Sequence, residues 1–456
     1  MIDNGSLRTA DVREAALRPL APSGPRFWAI AAVLSVLSLV GIVGFVIQLI
    51  DGLGVAGYTD QTFWSIYEAN LVAFIGVSYG GALVSAILRL THAHWRAPIT
   101  RLAESMAVFS LVIGALYAII HLGRPERIWE LVVRPRIDSP IVWDFVAVTT
   151  YLVATLIFLY LPLIPDLAVL RDRFRDAGGW RARLYRTLAF NWYGLEHQRD
   201  VLNRGITTIA ILIIPIAVLV HSVLSWAFAV TSRPGWHSTI FGPYFVIAAL
   251  YSGVAMVILV VAAFRKAYDL TPFIQLKHFQ NLAYIMLALD VLYLYFTFTE
   301  FLTEGYAMTE DTASIIQALL LGQYAPSFWL FVLGGGLIPL FLVAVPRTRT
   351  VTGIVVASAF VVAGMWLKRI LIVVPPAAHP LIVGPWGAFH LTWVSIAVTI
   401  GGAAAIPLLM MFFFKFVPVL GIDEIEQIAQ ENAHPLPAVV PTRESAVALS
   451  GRGGAR

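Results

Sequence analysis

The chain contains ten separate apolar stretches that are each long enough to cross a lipid bilayer. A bilayer core about 30 Å thick requires roughly 20 apolar helical residues. The stretches cover residues 27–50, 68–90, 102–121, 141–161, 206–230, 242–263, 280–302, 325–345, 351–374 and 391–417. Only 13% of the 456 residues are charged and 59% are hydrophobic, which excludes a water-soluble protein of this length. We predict an all-α polytopic membrane protein with ten transmembrane helices.

The ten spans divide the chain into a transmembrane domain and two tails. Residues 1–26 form the N-terminal tail, residues 27–417 the transmembrane domain, and residues 418–456 the C-terminal tail. The only long internal loop, residues 162–205, is rich in arginine, which suits a surface that faces anionic lipid. We expect short amphipathic helices there. The end of the C-terminal tail consists largely of small and polar residues, so we expect it to be disordered.

The basic residues predict the orientation of the chain. Of 31 lysines and arginines, 24 fall in the two tails or in the loops and span ends after spans two, four, six and eight. Under the positive-inside rule this side, with both termini, is cytoplasmic in a bacterial inner membrane. The same loop distribution explains the basic pI of about 9.2 without a nucleic-acid partner. Cysteine is absent, so an iron–sulfur cluster with cysteine ligands has to be held by a partner subunit.

Most basic residues on the other side are concentrated in two places. Four arginines occupy the loop after span three, and Lys368 and Arg369 lie inside span nine. The four are Arg124, Arg127, Arg134 and Arg136. Salt bridges with acidic residues of the same loop (Glu126, Glu130 and Asp138) are one explanation for them. A role in a functional site is the other.

Several ionisable residues share the outer ends of the spans with these cations. They are Glu68, His121, Asp144, His221, Glu300 and His390. A charge in hydrocarbon is costly unless it is paired or hydrated, so such a cluster indicates a cavity or a pathway. Single members have simpler explanations, since Asp144 could cap span four and His221 could bond to a neighbouring helix. The combination of His121 and Asp144 beside Arg124 favours function.

Proton-coupled redox chemistry of a lipid-soluble quinone fits these residues. Oxidation of a quinol releases two protons, which a neutral histidine or a carboxylate can accept. We therefore predict His121 and Asp144 as the catalytic bases. The predicted quinol-binding residues are His121, Arg124, Asp144, Glu68, Tyr67, Trp143 and His221.

A second polar set lies deeper in the membrane. Asp290 is near the middle of span seven and Glu104 near the inner end of span three. With Glu300, Lys368 and Arg369 they form a predicted proton path. The alternative for Asp290 is a silent pairing with a polar side chain of another helix.

Three runs resemble one family of membrane subunits. They are HLGRPER at 121–127, SPIVWDF at 139–145 and GWHSTI at 235–240. They are similar to the NrfD/PsrC family of quinol-interacting subunits, and within it to the ActC subunits of alternative complex III. The segment from Arg127 to Ser139 is shorter than in ActC-like chains, so the identity of the complex stays open.

The resemblance implies two four-helix bundles plus two flanking helices, without haem. It implies a site for menaquinol or ubiquinol near the outer face, lined by His121 and Asp144, beneath an extracytoplasmic iron–sulfur subunit. Further partners that it suggests are a molybdopterin-type subunit, a multihaem cytochrome c and a second NrfD-like subunit.

Two other functions remain as alternatives. A cytochrome b needs paired axial histidines, for which His121, His221, His278 and His390 are available. A secondary transporter is suggested by the ten spans and by the glycine run 334–336 with Pro339 in span eight. The polar set lies near one face, however, whereas transporters bind substrate near the midplane.

Overall fold

The computed structural model describes residues 9–426, except residues 177, 232, 382 and 383. In that part of the chain all regular structure is helical, and ten helices are long and apolar enough to cross a membrane. They are α1 (Pro25–Asp51), α2 (Ile66–Leu90), α3 (Ala97–Ile120), α4 (Pro140–Tyr160), α5 (Glu196–Ala229), α6 (Phe241–Ala267), α7 (Leu276–Ala307), α8 (Ala325–Ala344), α9 (Val351–Ala378) and α10 (Trp393–Phe413). The predicted fold class and number of spans are confirmed.

The ten helices form two bundles of four and a flanking pair. Helices α2, α3, α4 and α5 pack together as the first bundle, and α6, α7, α8 and α9 as the second. Helices α1 and α10 pack on each other, and α10 also contacts α3. The two bundles meet mainly where α2 crosses α6. This is the arrangement that the family resemblance implies.

Glycine residues set the distance between the bundles. A Cβ atom on Gly80 of α2 would lie 2.2 Å from the Cα of Gly253 of α6, so the two backbones are in direct contact. Small residues at crossings allow such close approach in membranes, where packing replaces the hydrophobic effect as the driving force. Among the described residues, two further glycine pairs bring helices into close contact: Gly41 with Gly401, between α1 and α10, and Gly335 with Gly364, between α8 and α9.

Helix α8 contains a π-helical turn over Phe331–Leu337, at the glycine run noted in the sequence. A π turn shifts the backbone hydrogen-bonding register and leaves carbonyl groups available to other partners. Here the carbonyl oxygen of Gly335 accepts a hydrogen bond of 2.9 Å from the Tyr251 hydroxyl of α6. The irregular turn therefore fastens α8 to α6 within the second bundle.

Both tails fold back on the end of the bundles where α2 ends and α3 begins. A short helix, Thr9–Leu17, precedes α1, and the segment after α10 is described as far as residue 426. Glu424 in that segment forms ion pairs with Arg89 and Arg96. Burial raises the pKa of Glu424, but these two arginines outweigh burial and hold it below its ordinary value. The expected disorder at the end of the C-terminal tail concerns residues outside the described ones.

The long loop between α4 and α5 is also helical. It contains the helices Ile164–Arg173 and Gly179–Leu188. Asp166 of the first helix accepts hydrogen bonds from the backbone N–H groups of Ile422 and Asp423, at 3.1 and 3.2 Å, and pairs with Arg101 of α3 at 2.8 Å. The loop and the C-terminal segment are therefore joined to the first bundle by one buried carboxylate.

We predict that Gly80→Ala destabilises the protein because the added methyl group overlaps the backbone of Gly253. Overpacking of this kind costs about 1–3 kcal/mol, although alanine favours a helix by up to about 1 kcal/mol over glycine. Gly305→Ala is the matched control, since a Cβ atom there has no neighbour within 4 Å. Thermal unfolding in detergent, followed by tryptophan fluorescence, should show a lower midpoint for Gly80→Ala alone. An unchanged or higher midpoint would contradict the contact.

Candidate functional site

A histidine and a glutamate meet at the end of the first bundle where α2 begins and α3 ends. Glu68 lies in the first turn of α2, and His121 directly follows α3. The Nε2 atom of His121 lies 3.5 Å from Oε1 of Glu68. The sequence placed both residues in the site but coupled His121 with Asp144. In the structure the carboxylate that faces His121 belongs to Glu68.

The backbone fixes the protonation pattern of the His121 ring. Nδ1 of His121 lies 3.1 Å from the carbonyl oxygen of Tyr117, one helical turn earlier. A carbonyl oxygen only accepts hydrogen bonds, so Nδ1 carries the hydrogen. In the neutral ring Nε2 then has a free lone pair on the side of Glu68. His121 is therefore arranged to accept a proton at Nε2, with a carboxylate beside the resulting cation.

The two oxygens of Glu68 have different surroundings. Oε2 accepts hydrogen bonds from the Tyr58 hydroxyl at 3.0 Å and from the backbone N–H of Ser65 at 2.9 Å. Oε1 is buried and has no hydrogen-bond partner. One oxygen thus holds the side chain in place, while the other remains free for a proton or a bound hydroxyl.

Tyrosine rings form a wall beside this pair. The ring of Tyr67 lies 5.5 Å from that of Tyr58 and 6.1 Å from that of Tyr117, measured between centroids. The Tyr117 hydroxyl donates a hydrogen bond of 2.7 Å to the carbonyl of Val398 in α10. The Tyr67 hydroxyl, in contrast, is buried without a partner. The wall therefore offers apolar ring faces and one free hydroxyl.

Asp144 lies near the start of α4, at the same end of the bundle. Its Oδ1 atom is buried and lacks a hydrogen-bond partner. Among the described residues it forms no hydrogen bond or ion pair, either with His121 or with the N-terminus of its own helix. The explanation that Asp144 caps the helix is therefore not supported. Trp143 donates its indole N–H to the carbonyl of Ile137 and so holds the preceding loop against α4.

An open cleft of about 570 Å³ lies under the arginine-rich loop. Arg124 and Arg127 line it, together with Leu53 and Ile141. Within the described part of the chain, no ion pair joins the four arginines of this loop to Glu126, Glu130 or Asp138. Local salt bridging therefore does not account for their presence, and their charge is available to another molecule.

His221 lies where the two bundles meet. It is buried in α5, its ring is 4.4 Å from that of Tyr79, and neither ring nitrogen has a hydrogen-bond partner. It forms no hydrogen bond with His121 or Glu68. A cavity of about 10 Å³ next to it is also lined by Tyr293 and Arg369 of the second bundle. That is space for about one water molecule. The lining is mostly apolar, and its polar residues are His221 of the first bundle and Tyr293, Lys368 and Arg369 of the second.

Arg369 of α9 extends from the second bundle to the first. Its guanidinium donates hydrogen bonds to the Met365 carbonyl at 2.7 Å and to the Ser252 hydroxyl at 2.9 Å. A Cβ atom on Gly76 of α2 would lie 2.8 Å from this guanidinium, so the glycine leaves room for it. The side chain is therefore a buried cation between the bundles, neutralised by no acidic partner among the described residues.

Lys368 and Glu300 form a separate buried pair inside the second bundle. The lysine Nζ lies 3.7 Å from Oε2 of the glutamate. Three aromatic rings surround the ammonium group, with centroids 5.5 to 5.7 Å away; they belong to Tyr244, Phe301 and Phe331. Such rings stabilise a cation through their negative faces. This arrangement explains how a lysine is tolerated inside a membrane helix.

The two deeper carboxyl groups are in different bundles. Glu104 in α3 is buried and accepts a hydrogen bond of 2.6 Å from the Ser85 hydroxyl. Asp290 in α7 is buried beside Tyr251, and its Oδ1 atom has no hydrogen-bond partner. No continuous chain of hydrogen bonds between described residues joins the two groups, so water would have to complete any path between them.

Tyr58 is the site residue that the sequence did not indicate. It lies in the loop between α1 and α2, outside every apolar span, and is buried because that loop folds over the start of α2. Its spacing from Glu68 carries no recognisable motif. Only the fold shows that its hydroxyl holds the glutamate.

Comparisons with known proteins agree with this architecture. The chain is 29% identical over 398 residues to a putative membrane subunit of dimethyl sulfoxide reductase from Halobacterium salinarum, covering 82% of this chain and 87% of the relative. It is 25% identical over 414 residues to a subunit of selenate reductase from Mesobacillus selenatarsenatis, covering 86% and 94%. It is 24% identical over 334 residues to the Hdr-like menaquinol oxidoreductase integral membrane subunit of Archaeoglobus fulgidus, covering 72% and 74%.

The family model described as polysulphide reductase, NrfD, matches residues 54–379, which include the His121–Glu68 pair, Asp144 and the ion pair of the second bundle. The match spans most of the chain and confirms the family that the sequence motifs predicted. This multi-pass membrane protein belongs to the NrfD family.

Proposed function

We propose that this chain is the quinol-binding membrane subunit of a respiratory oxidoreductase and that the quinol binds beside His121 and Glu68. Family membership and the relative named as a menaquinol oxidoreductase subunit support a quinone as substrate. The observation that carries the proposal is the imidazole whose free Nε2 faces an unpartnered carboxylate oxygen at 3.5 Å. The family match and the named relatives give no comparable support to a secondary transporter or a cytochrome b.

In the proposed mechanism, His121 accepts one quinol proton at Nε2, and the Glu68 carboxylate stabilises the imidazolium that forms. Asp144 accepts the second proton at its unpartnered Oδ1. The quinol thereby loses two protons to the chain and two electrons to an acceptor, and leaves as quinone. The hydroxyl of Tyr67 and the tyrosine rings orient the substrate, and Arg124 stabilises negative charge near the opening of the site.

This chain contains no cysteine to hold an iron–sulfur cluster, and in our proposal the electrons pass to a partner subunit. We propose that an iron–sulfur subunit binds over the arginine-rich loop, at the extracytoplasmic face of a bacterial inner membrane. Exposed apolar side chains on that loop, Trp129, Val132, Val133 and Ile137, provide contact area. The relatives named as reductase subunits favour a molybdenum-containing catalytic subunit, and an alternative complex III with multihaem cytochrome c and a second NrfD-like chain is the other assembly.

Proton translocation through the second bundle is a second candidate function. It is supported by three buried ionisable side chains, Asp290, Glu300 and Arg369, each of which has an atom without a hydrogen-bond partner. Packing alone does not require ionisable groups inside a membrane protein. Lys368 and Glu300 would exchange a proton near one membrane face. Glu104 would take up a proton near the opposite face. Water in the cavity beside His221 would connect the bundles.

We predict that Glu68→Gln lowers quinol turnover by roughly a hundredfold, because the imidazolium that forms on His121 loses the carboxylate that stabilises it. Glutamine can still accept hydrogen bonds from Tyr58 and Ser65, so the fold is retained while the negative charge beside His121 is lost. Turnover of the assembled complex with a soluble electron acceptor measures the effect. Asp60→Asn, an exposed substitution just before α2, is the control. Wild-type turnover in Glu68→Gln would exclude the glutamate from the chemistry.

Asp144→Asn should preserve quinol affinity but reduce the rate. The amide has the shape of the carboxylic acid and cannot accept the second proton. Quinol binding and turnover, measured separately on the same preparation, should therefore diverge. Asp138→Asn, in the exposed loop before α4, should change neither. If both variants turn over quinol like the wild type, Asp144 is not a base in this reaction.

Glu300→Gln should reduce the number of protons translocated per electron while quinol oxidation continues. The substitution keeps the side-chain size but removes the proton-carrying group beside Lys368. Proteoliposomes containing the complete complex allow both quantities to be measured together. A wild-type complex that oxidises quinol without moving protons would rule out the second candidate function and leave the first intact.

A further inference from the structure

An apolar groove of about 250 Å³ lies at the end of the bundles that carries both tails. It runs between the last turns of α4, the helix Gly179–Leu188 and the residues that follow α10. Its lining includes Leu156, Leu159, Leu184, Leu188, Phe413 and Phe416. The two tyrosines of the groove use their hydroxyls elsewhere, since Tyr160 donates to the Leu188 carbonyl at 2.8 Å and Tyr185 to the Phe416 carbonyl at 3.0 Å. Only carbon surfaces therefore face the groove.

The groove lies at the level of the membrane boundary. Two membrane-crossing helices, α4 and α10, end at it, and Leu156 in α4 remains 44% exposed. The helix Gly179–Leu188 is amphipathic, because Leu184, Tyr185 and Leu188 face the groove while Arg183 and Arg186 are exposed. Such helices lie along the membrane surface with the apolar face toward the acyl chains.

Two cations lie next to Phe416, one of the residues that line the groove. Arg181 lies on the same helix face as Leu184 and Leu188, and its guanidinium is 5.6 Å from the ring centroid of Phe416. Lys415 follows α10 and donates hydrogen bonds to the Pro19 and Ala21 carbonyls, at 2.5 and 2.9 Å. Its ammonium lies 4.8 Å from the ring centroid of Phe27. Burial lowers the pKa of Lys415, and the positive charge of Arg181 lowers it further.

These two cations form no ion pair with a described acidic residue. In the part of the chain that the structure describes, no ion pair includes Arg181 or Lys415. Like charges that approach one another without a counterion destabilise a fold unless an anion binds between them. A ligand complementary to this site is therefore negatively charged beside the cations and apolar along the groove.

We propose that this groove binds one anionic phospholipid, with its phosphate between Arg181 and Lys415 and an acyl chain against the leucines. A soluble anion would leave the apolar groove empty. A zwitterionic lipid carries no net negative charge to balance Arg181 and Lys415. The bound lipid joins α4, α10 and the interfacial helix. It thereby stabilises the end of the protein opposite the proposed quinol site, and it does not depend on the quinol chemistry.

Native mass spectrometry of the delipidated full chain in detergent tests the proposal. Phosphatidylglycerol and phosphatidylcholine with identical acyl chains are titrated separately. One phosphatidylglycerol should bind more tightly than phosphatidylcholine, and Arg181→Gln and Lys415→Gln should each weaken it about fivefold, the contribution of one basic residue at a membrane surface. Arg347→Gln, which removes an exposed arginine from the loop between α8 and α9, is the matched control and should change nothing.

Two further variants separate charge from packing. Arg181→Lys keeps the charge and should keep phosphatidylglycerol binding, provided that thermal unfolding shows a folded protein. Leu184→Trp fills the groove and should weaken both lipids. Equal affinity for the two lipids, an equal loss in Arg347→Gln, or full competition by soluble glycerol phosphate would each overturn the proposal. Displacement of the lipid by a menaquinone analogue would also overturn it, since the groove would then be a quinone site.

Discussion

The contact between Gly80 and Gly253 determines how the two bundles share their interior. Because the backbones of α2 and α6 touch there, the side chains on either side of the contact face the opposite bundle at short range. One turn along α2, the missing side chain of Gly76 provides the space for Arg369 from α9. With larger residues at these positions the Arg369 guanidinium would have no place at the junction, beside the cavity that His221 lines.

The buried charges are accommodated in three different ways. Two tails and a loop enclose the arginines and acids at one end, where Asp166 and Glu424 have full sets of partners. Aromatic rings and Glu300 surround Lys368. At the start of α2, in contrast, Glu68 keeps one oxygen unpartnered beside His121. Both oxygens of Asp166 and Glu424 are thus used to hold the fold together, whereas the free oxygen of Glu68 can interact with a proton or a bound hydroxyl.

The sequence predicted the depth of the site residues in the membrane better than it predicted which of their side chains face each other. The position of a residue along an apolar span gives its depth, and so Glu68, His121 and Asp144 were correctly expected at one end of the bundle. Rotation of each helix about its axis depends on packing, which a single sequence does not reveal. For that reason Glu68 rather than Asp144 faces His121, His221 lies at the junction of the bundles, and the contribution of Tyr58 from a loop was not foreseen.

The structure also restricts how quinol chemistry and proton translocation can be coupled. The proposed quinol bases belong to the first bundle, whereas the Lys368–Glu300 pair and Asp290 belong to the second. Any exchange between them has to cross the junction, where His221 and Arg369 face the same small cavity. Neither ring nitrogen of His221 has a hydrogen-bond partner among the described residues, so a water molecule in this cavity would have to connect the two side chains.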